Sequence, residues 1–168
     1  MGSLKLYDTN ISRASIVAER DSMSFDKESP EMLLLLQTFE KHHVNYLIVG
    51  GFAVNRYGYN RTTGDLDIYL KDTIENRKNL IEAIDEIGYG RYDMLIDVPI
   101  IAGYCEVMMD DGMYADLMTD IPGLDKENYD EYLAMATVDK INDFNVYFLH
   151  YNHLIENKKA TNRVKDQL

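Results

Sequence analysis

The 168-residue sequence has one cysteine, three prolines and no tryptophan. Because Cys105 has no cysteine to pair with, no disulfide forms within the chain, and a reducing intracellular setting is expected. Its apolar sequence neighbours predict that Cys105 is a core residue. No apolar run approaches the length of about 20 residues that a membrane-spanning helix needs, and no signal peptide opens the sequence. We therefore expect a cytoplasmic protein that does not contact a membrane.

Basic residues are also scarce. The sequence has 17 Lys and Arg but 29 Asp and Glu, which gives a formal net charge of −12. This balance disfavours a protein that grips nucleic acid through a broad basic surface. It leaves room for a nucleoside triphosphate site, since Mg²⁺ and a few local cations can neutralise phosphates. It also suits docking with a basic protein partner. The hydrophobic content of 46% predicts a folded domain with its own core.

A strand, a pair of glycines and a short helix are predicted in the first half of the chain. Residues 45–49 form a short apolar run that is typical of a buried strand, and Gly50 and Gly51 end it. Glycine lets the backbone approach a ligand closely or adopt a positive φ. Residues 52–57 predict a short helix. Its free N–H groups would lie just past the glycines, where a phosphate could bind.

The next predicted strand, residues 65–70, opens with two aspartates separated by one residue. Side chains alternate between the faces of a strand, so Asp65 and Asp67 share one face while Leu66 and Ile68 point to the other. Two ionised carboxylates side by side repel each other unless a cation lies between them. Mg²⁺ is the natural partner, because it is bound by a few carboxylates together with substrate phosphates.

Caps and apolar periodicity predict the other elements. Ser29 and Pro30 begin a helix that runs to about residue 42, and Thr73 and Gly88 bracket another. Two hairpins, over 104–119 and 137–150, and helices over 11–19, 125–136 and from 151 onward are expected. We assign residues 1–28 to an N-terminal extension and residues 29–168 to one folded domain.

The stretch 44–70 resembles the nucleotidyltransferase superfamily that includes DNA polymerase β. Its signature is Gly-Gly or Gly-Ser at a strand-to-helix turn, then Asp-x-Asp on the next strand. Thirteen residues, 52–64, separate Gly51 from Asp65, which fits this pattern. Arg61-x-Thr63-x-Asp65-x-Asp67 looks like the small bacterial and archaeal members, including the minimal (MNT-type) and abortive-infection-toxin relatives. The resemblance implies an α+β nucleotidyltransferase fold, with a mixed β-sheet, helices packed on one face and a C-terminal helix.

The resemblance also implies a third carboxylate on the strand that closes the first hairpin, and Asp116 is the position that fits; Asp120 lies past the strand end. Asp65, Asp67 and Asp116 would then be catalytic and would bind two Mg²⁺ or Mn²⁺ ions. The nucleotide would contact the two glycines of the turn and nearby polar side chains. Those positions are Gly50, Gly51, Arg61 and Thr63.

The last helix supplies a second resemblance. Residues 154–158, Leu-Ile-Glu-Asn-Lys, and then Arg163-x-Lys165-Asp166 look like the C-terminal helix of these small enzymes. By that match Lys158 reaches the triphosphate, supported by Arg163 and Lys165. The alternative is a basic, solvated helix face without a binding role. Members of the family often continue beyond this point, so a further helix or domain is expected in a longer protein.

The implied reaction is metal-dependent transfer of a nucleotidyl group from an NTP, such as ATP, to an acceptor hydroxyl, with release of pyrophosphate. The acceptor, whether a protein side chain, a small molecule or an RNA end, stays open, although the acidic charge mildly disfavours RNA. One alternative is an MNT-type protein that binds and neutralises its partner in a toxin–antitoxin pair. Another is a domain that binds a nucleotide without turnover, which retention of three carboxylates disfavours.

Overall fold

The computed structural model describes residues 2–6 and 29–166, with their side chains except those of residues 5, 6 and 163–166. The helix expected over residues 11–19 lies outside the described residues. The side chains of Arg163 and Lys165 lie outside them as well, so their roles in nucleotide binding stay predictions.

Among the described residues, seven strands form one mixed sheet, in the order β1-β4-β5-β3-β2-β7-β6. The strands are β1 (Ser3–Leu6), β2 (Tyr46–Val49), β3 (Asp65–Leu70), β4 (Cys105–Met108), β5 (Tyr114–Met118), β6 (Thr137–Ile141) and β7 (Phe144–Phe148). The central strand β3 pairs in parallel with β5 and antiparallel with β2, and β2 pairs in parallel with β7. Both predicted hairpins, β4–β5 and β6–β7, are confirmed.

The helices begin and end largely where the sequence predicts. They are α1 (Pro30–Lys41), α2 (Gly50–Arg56), α3 (Ile74–Ile87), α4 (Tyr129–Ala134) and α5 (Tyr151–Asp166). The hydroxyls of Ser29 and Thr73 accept hydrogen bonds from backbone N–H groups of the first turns of α1 and α3, each at 3.1 Å. Gly88 ends α3 in the left-handed conformation, at φ 94°. The predicted helix over 125–136 is split into a 3₁₀ turn, Lys126–Asn128, followed by α4.

The two faces of the sheet have different chemistry. The strand registers place Ile48, Ile68 and Leu117 on one face, where Phe39 of α1 packs edge-on against Tyr46 with ring centroids 5.7 Å apart. Helix α3 packs beside α1. The opposite face carries the acidic side chains of β3, β4 and β5. The predicted α+β architecture, with its mixed sheet and C-terminal helix, is confirmed.

Strand β1 was not predicted. Ser3–Leu6 pairs antiparallel with β4 at one edge of the sheet, with Leu4 opposite Val107. Part of the extension expected over residues 1–28 therefore joins the sheet, and the domain limits stay a prediction. Within the part of the chain that the structure describes, no helix is both long and apolar enough to cross a membrane.

Candidate active site

The two parallel central strands bring the predicted carboxylates together. Asp67 on β3 is the direct register partner of Asp116 on β5, and Asp65 precedes Asp67 by two residues on the same strand. Directly paired residues on neighbouring strands point to the same face of a sheet. All three side chains therefore start from the same face, on adjacent strands.

Asp116 is the most deeply placed of the three. It is 1% exposed, and the backbone N–H of Gly103 donates to both of its carboxylate oxygens, at 2.9 and 3.0 Å. Asp65 and Asp67 are only partly buried. The segment before β4 thus fixes the carboxylate of Asp116, while the other two face more open space.

Gly50 lies directly against Asp67. A Cβ atom at position 50 would be 2.1 Å from Oδ2 of Asp67, and Gly50 has φ +66°. Both the close contact and the left-handed backbone require glycine here. The left-handed turn also leads straight into α2, which begins at Gly50; the expectation that the helix starts after both glycines, at residue 52, was wrong.

Gly51 and Thr63 pack against each other. A Cβ atom at position 51 would be 2.7 Å from the Thr63 hydroxyl and 2.9 Å from Thr63 Cβ. Thr63 is buried, and its hydroxyl donates to the backbone carbonyl of Asp65 at 3.2 Å. Thr63 therefore connects the glycine turn to the start of β3. Nucleotide binding by Gly51 and Thr63 stays a prediction.

Arg61 and Lys158 line one cavity of about 310 Å³ between α2, the loop that follows it and α5. The side chain of Asn55 holds the loop by accepting from the backbone N–H of Arg61 at 2.9 Å and donating to its carbonyl at 2.8 Å. Lys158 is half-buried, whereas Lys159 is exposed. The structure thus brings together two of the predicted phosphate-binding cations, which lie far apart in the sequence.

Glu106 on β4 was not among the predicted site residues. It is the register partner of Asp116 on the side away from Asp67, and it is 3% exposed. A third strand therefore adds a buried carboxylate to the same row. The signal was the apolar alternation around Glu106 in the predicted strand, which places this one acidic side chain on the face of Asp116.

The single cysteine, Cys105, lies on β4 directly before Glu106. The thiol is buried as predicted, and burial, aided by the negative charge of Asp116, raises its pKa to about 12. The thiol therefore stays protonated at neutral pH. It packs in the core, on the face opposite to the carboxylates.

The oxygen donors suit Mg²⁺, although no three His, Cys, Asp or Glu side chains of the described residues stand in an arrangement that would enclose a metal ion. Mg²⁺ is usually held by one or two carboxylates, waters and substrate phosphates rather than by an all-protein cage. Asp67 and Asp116 are placed side by side for this by the strand register. Both carboxylate oxygens of Asp116 accept from the backbone N–H of Gly103. To bind an ion, Asp116 would either coordinate it with an oxygen that keeps this hydrogen bond or rotate its carboxylate away from Gly103.

No protein-family model and no curated protein sequence matches the chain. Its structure is similar to the crystal structure of a candidate nucleotidyltransferase, TM1012 of Thermotoga maritima, with a TM-score of 0.59. The chain shares this nucleotidyltransferase-like fold. The match covers 81% of this chain and 85% of that one, at 16% sequence identity. At this sequence identity, the similarity shows that the two proteins share a fold. It does not show that this chain belongs to the MNT-type subfamily.

Proposed function

We propose that the protein transfers a nucleotidyl group from a nucleoside triphosphate to an acceptor hydroxyl in a Mg²⁺-dependent reaction that releases pyrophosphate. The observation that carries this proposal is the direct pairing of Asp67 with Asp116 on parallel strands, with Gly50 packed against Asp67. The shared fold supports it, because that fold is found in a candidate nucleotidyltransferase.

The three carboxylates and the two glycines have different proposed roles. Asp65, Asp67 and Asp116 would hold Mg²⁺ or Mn²⁺, which when bound would supply positive charge to the triphosphate and to the acceptor oxygen. The backbone N–H groups of Gly50 and Gly51, in the first turn of α2, are proposed to face phosphate oxygens.

The proposed chemistry is a displacement at the α-phosphorus. The acceptor oxygen forms a bond to that phosphorus while the bond to the oxygen that bridges the α- and β-phosphates breaks, and pyrophosphate leaves with the electron pair. A carboxylate oxygen of the Asp67–Asp116 pair accepts the hydroxyl proton. Most of the rate gain in such a reaction comes from positioning and charge stabilisation, so few side chains are needed.

Arg61 and Lys158 are proposed to bind the triphosphate. Both line the cavity beside α2, and both are cations in a chain with a formal charge of −12. The arginine can pair with two phosphate oxygens through its planar guanidinium, whereas the lysine acts as a point charge on a flexible stem. Arg163 and Lys165 are proposed to support them on the strength of the sequence resemblance alone.

The test is to incubate the protein with each α-labelled NTP, Mg²⁺ and cell extract, and then to identify what carries the label. Asp116→Asn is expected to abolish labelling, whereas Asp85→Asn, on α3 at the helix-covered side of the sheet, should label like the parent. A labelled protein would point to a partner of the toxin–antitoxin kind, and a labelled small molecule or RNA end to another acceptor. Absence of labelling, or equal labelling by Asp116→Asn, would overturn the proposal.

A further inference from the structure

A cavity of about 310 Å³ lies between α2, the loop that follows it and the first turns of α5. Its lining is aromatic and basic, with Tyr57, Tyr59 and Tyr151 alongside Arg61 and Lys158. Small-molecule sites have volumes of roughly 300–1,000 Å³ and combine apolar walls with a few polar groups. The size and composition of this cavity therefore fit a compact planar ligand.

One wall of the cavity is fixed. The Tyr57 hydroxyl donates to the backbone carbonyl of Leu149 at 2.7 Å and lies 2.9 Å from the Thr137 hydroxyl. Its ring packs edge-on against Tyr151, with centroids 5.4 Å apart and an interplanar angle of 63°. Tyr57 is thus held by both the sheet and α5.

Two of the rings that line the cavity, Tyr59 and Tyr151, are exposed to solvent. Tyr59 is 55% exposed and Tyr151 is 37% exposed, and the two hydroxyls are near enough for Tyr59 to raise the pKa of Tyr151. Exposed aromatic rings beside a cavity offer their π-faces to a ligand. Both rings line the same cavity, one from the loop after α2 and one from the first turn of α5.

The charge of the lining favours an anionic ligand. Arg61 and Lys158 lie in one cavity of a protein whose formal net charge is −12. Arginine also stacks on planar rings, and both cations pair with phosphate oxygens. The combination of stacking surfaces and cations suits a flat ring that carries phosphate.

The cavity is close to the carboxylates. Val54 lines it and follows Gly50 by four residues in α2, which corresponds to about 6 Å along a helix axis. Gly50 in turn lies against Asp67. A nucleoside triphosphate is longer than one helical turn, so its phosphates can lie at the glycines while its base extends toward the cavity.

We propose that this cavity binds the base of the nucleotide, stacked against Tyr59 and Tyr151, with Arg61 and Lys158 directed to its phosphates. The inference rests on the proposed function and adds a site for the base, which neither the carboxylates nor the glycine turn supplies. Because every base offers a π-face, stacking of this kind tolerates different bases.

The test measures binding of each of the four NTPs and of inorganic tripolyphosphate by calorimetry. Tyr59→Ala is expected to weaken binding of the preferred NTP roughly 5- to 100-fold, the range for loss of one base-stacking ring, and to leave tripolyphosphate binding unchanged. Tyr59→Phe keeps the ring and should restore NTP binding. Tyr59 is the ring to change because it is the most exposed of the three, and circular dichroism should show that the fold is retained.

The outcomes separate this inference from the proposed function. If the parent transfers nucleotides and Tyr59→Ala binds them as tightly as the parent, the base lies elsewhere and only this inference is overturned. If NTP binding depends on Tyr59 but no acceptor is ever labelled, the cavity assignment stands and the transfer proposal fails. A parent protein that binds no NTP overturns both. Met135→Ala, at an exposed position after α4, serves as the remote control and should bind like the parent.

Discussion

The contact between Gly50 and Asp67 can be tested by adding one methyl group. In Gly50→Ala the new Cβ would lie 2.1 Å from Oδ2 of Asp67, so the carboxylate must move. Alanine at position 50 must also either adopt the unfavourable φ of +66° or shift the backbone out of this conformation. The variant therefore combines a backbone cost with a displaced carboxylate.

A matched variant separates these two effects. Gly88, at the end of α3, has φ +94°, and a Cβ there would meet no atom within 4 Å. Gly88→Ala therefore carries only the cost of a left-handed alanine, about 1–2 kcal/mol of unfolding free energy. Gly50→Ala should lose more than this, because it adds the clash with Asp67.

The assay combines urea unfolding with calorimetric titration of Mn²⁺ and NTP. Gly88→Ala should bind both ligands as the parent does. Gly50→Ala should weaken Mn²⁺ binding about ten- to a hundredfold, as expected for loss of one charge-assisted contact. If the two variants were equally stable and Gly50→Ala kept full Mn²⁺ affinity, the idea that this glycine positions the carboxylate would be refuted.

Two further predictions concern the glycine turn and the last helix. Gly51→Val should lower the free energy of unfolding, measured in urea, because a Cβ atom at this position would be 2.9 Å from Thr63 Cβ. Unchanged stability would show that the Thr63 side chain can move aside without cost. Lys158→Ala should weaken NTP binding, measured by calorimetry, about ten- to a hundredfold, the cost of a charge-assisted contact. Lys159→Ala should have little effect, since Lys159 points about 100° away on the helix and is exposed. Equal, small effects of both lysine changes would mean that the helix face is simply solvated.

Local sequence signals predicted the helices that have recognisable capping residues at their ends. Helix α3 is bracketed by the Thr73 cap and by Gly88, and both act in the structure as expected. Strand β1 has no such signal. It is four residues long and gains its place only by pairing with β4, about a hundred residues further along the chain. A short edge strand of this kind depends on tertiary pairing, which sequence periodicity does not show.

For the candidate active site, too, local sequence patterns predicted some residues and not others. The alternation of Asp65 and Asp67 with apolar residues was enough to place both on one face, whereas the place of Asp116 beside them came from the family resemblance. Glu106 was missed because one acidic residue in a strand is most often a surface residue. The start of α2 was misplaced because glycine usually weakens a helix, while here the left-handed Gly50 begins it.

The most direct test of the account is a Mn²⁺ titration of the parent protein, Asp67→Asn and Asp85→Asn. The paired carboxylates predict that the parent and Asp85→Asn bind Mn²⁺ alike. They predict that Asp67→Asn loses this binding while its circular dichroism is unchanged. If Asp67→Asn bound Mn²⁺ with the affinity of the parent, the assignment of Asp67 and Asp116 as a metal site would be contradicted.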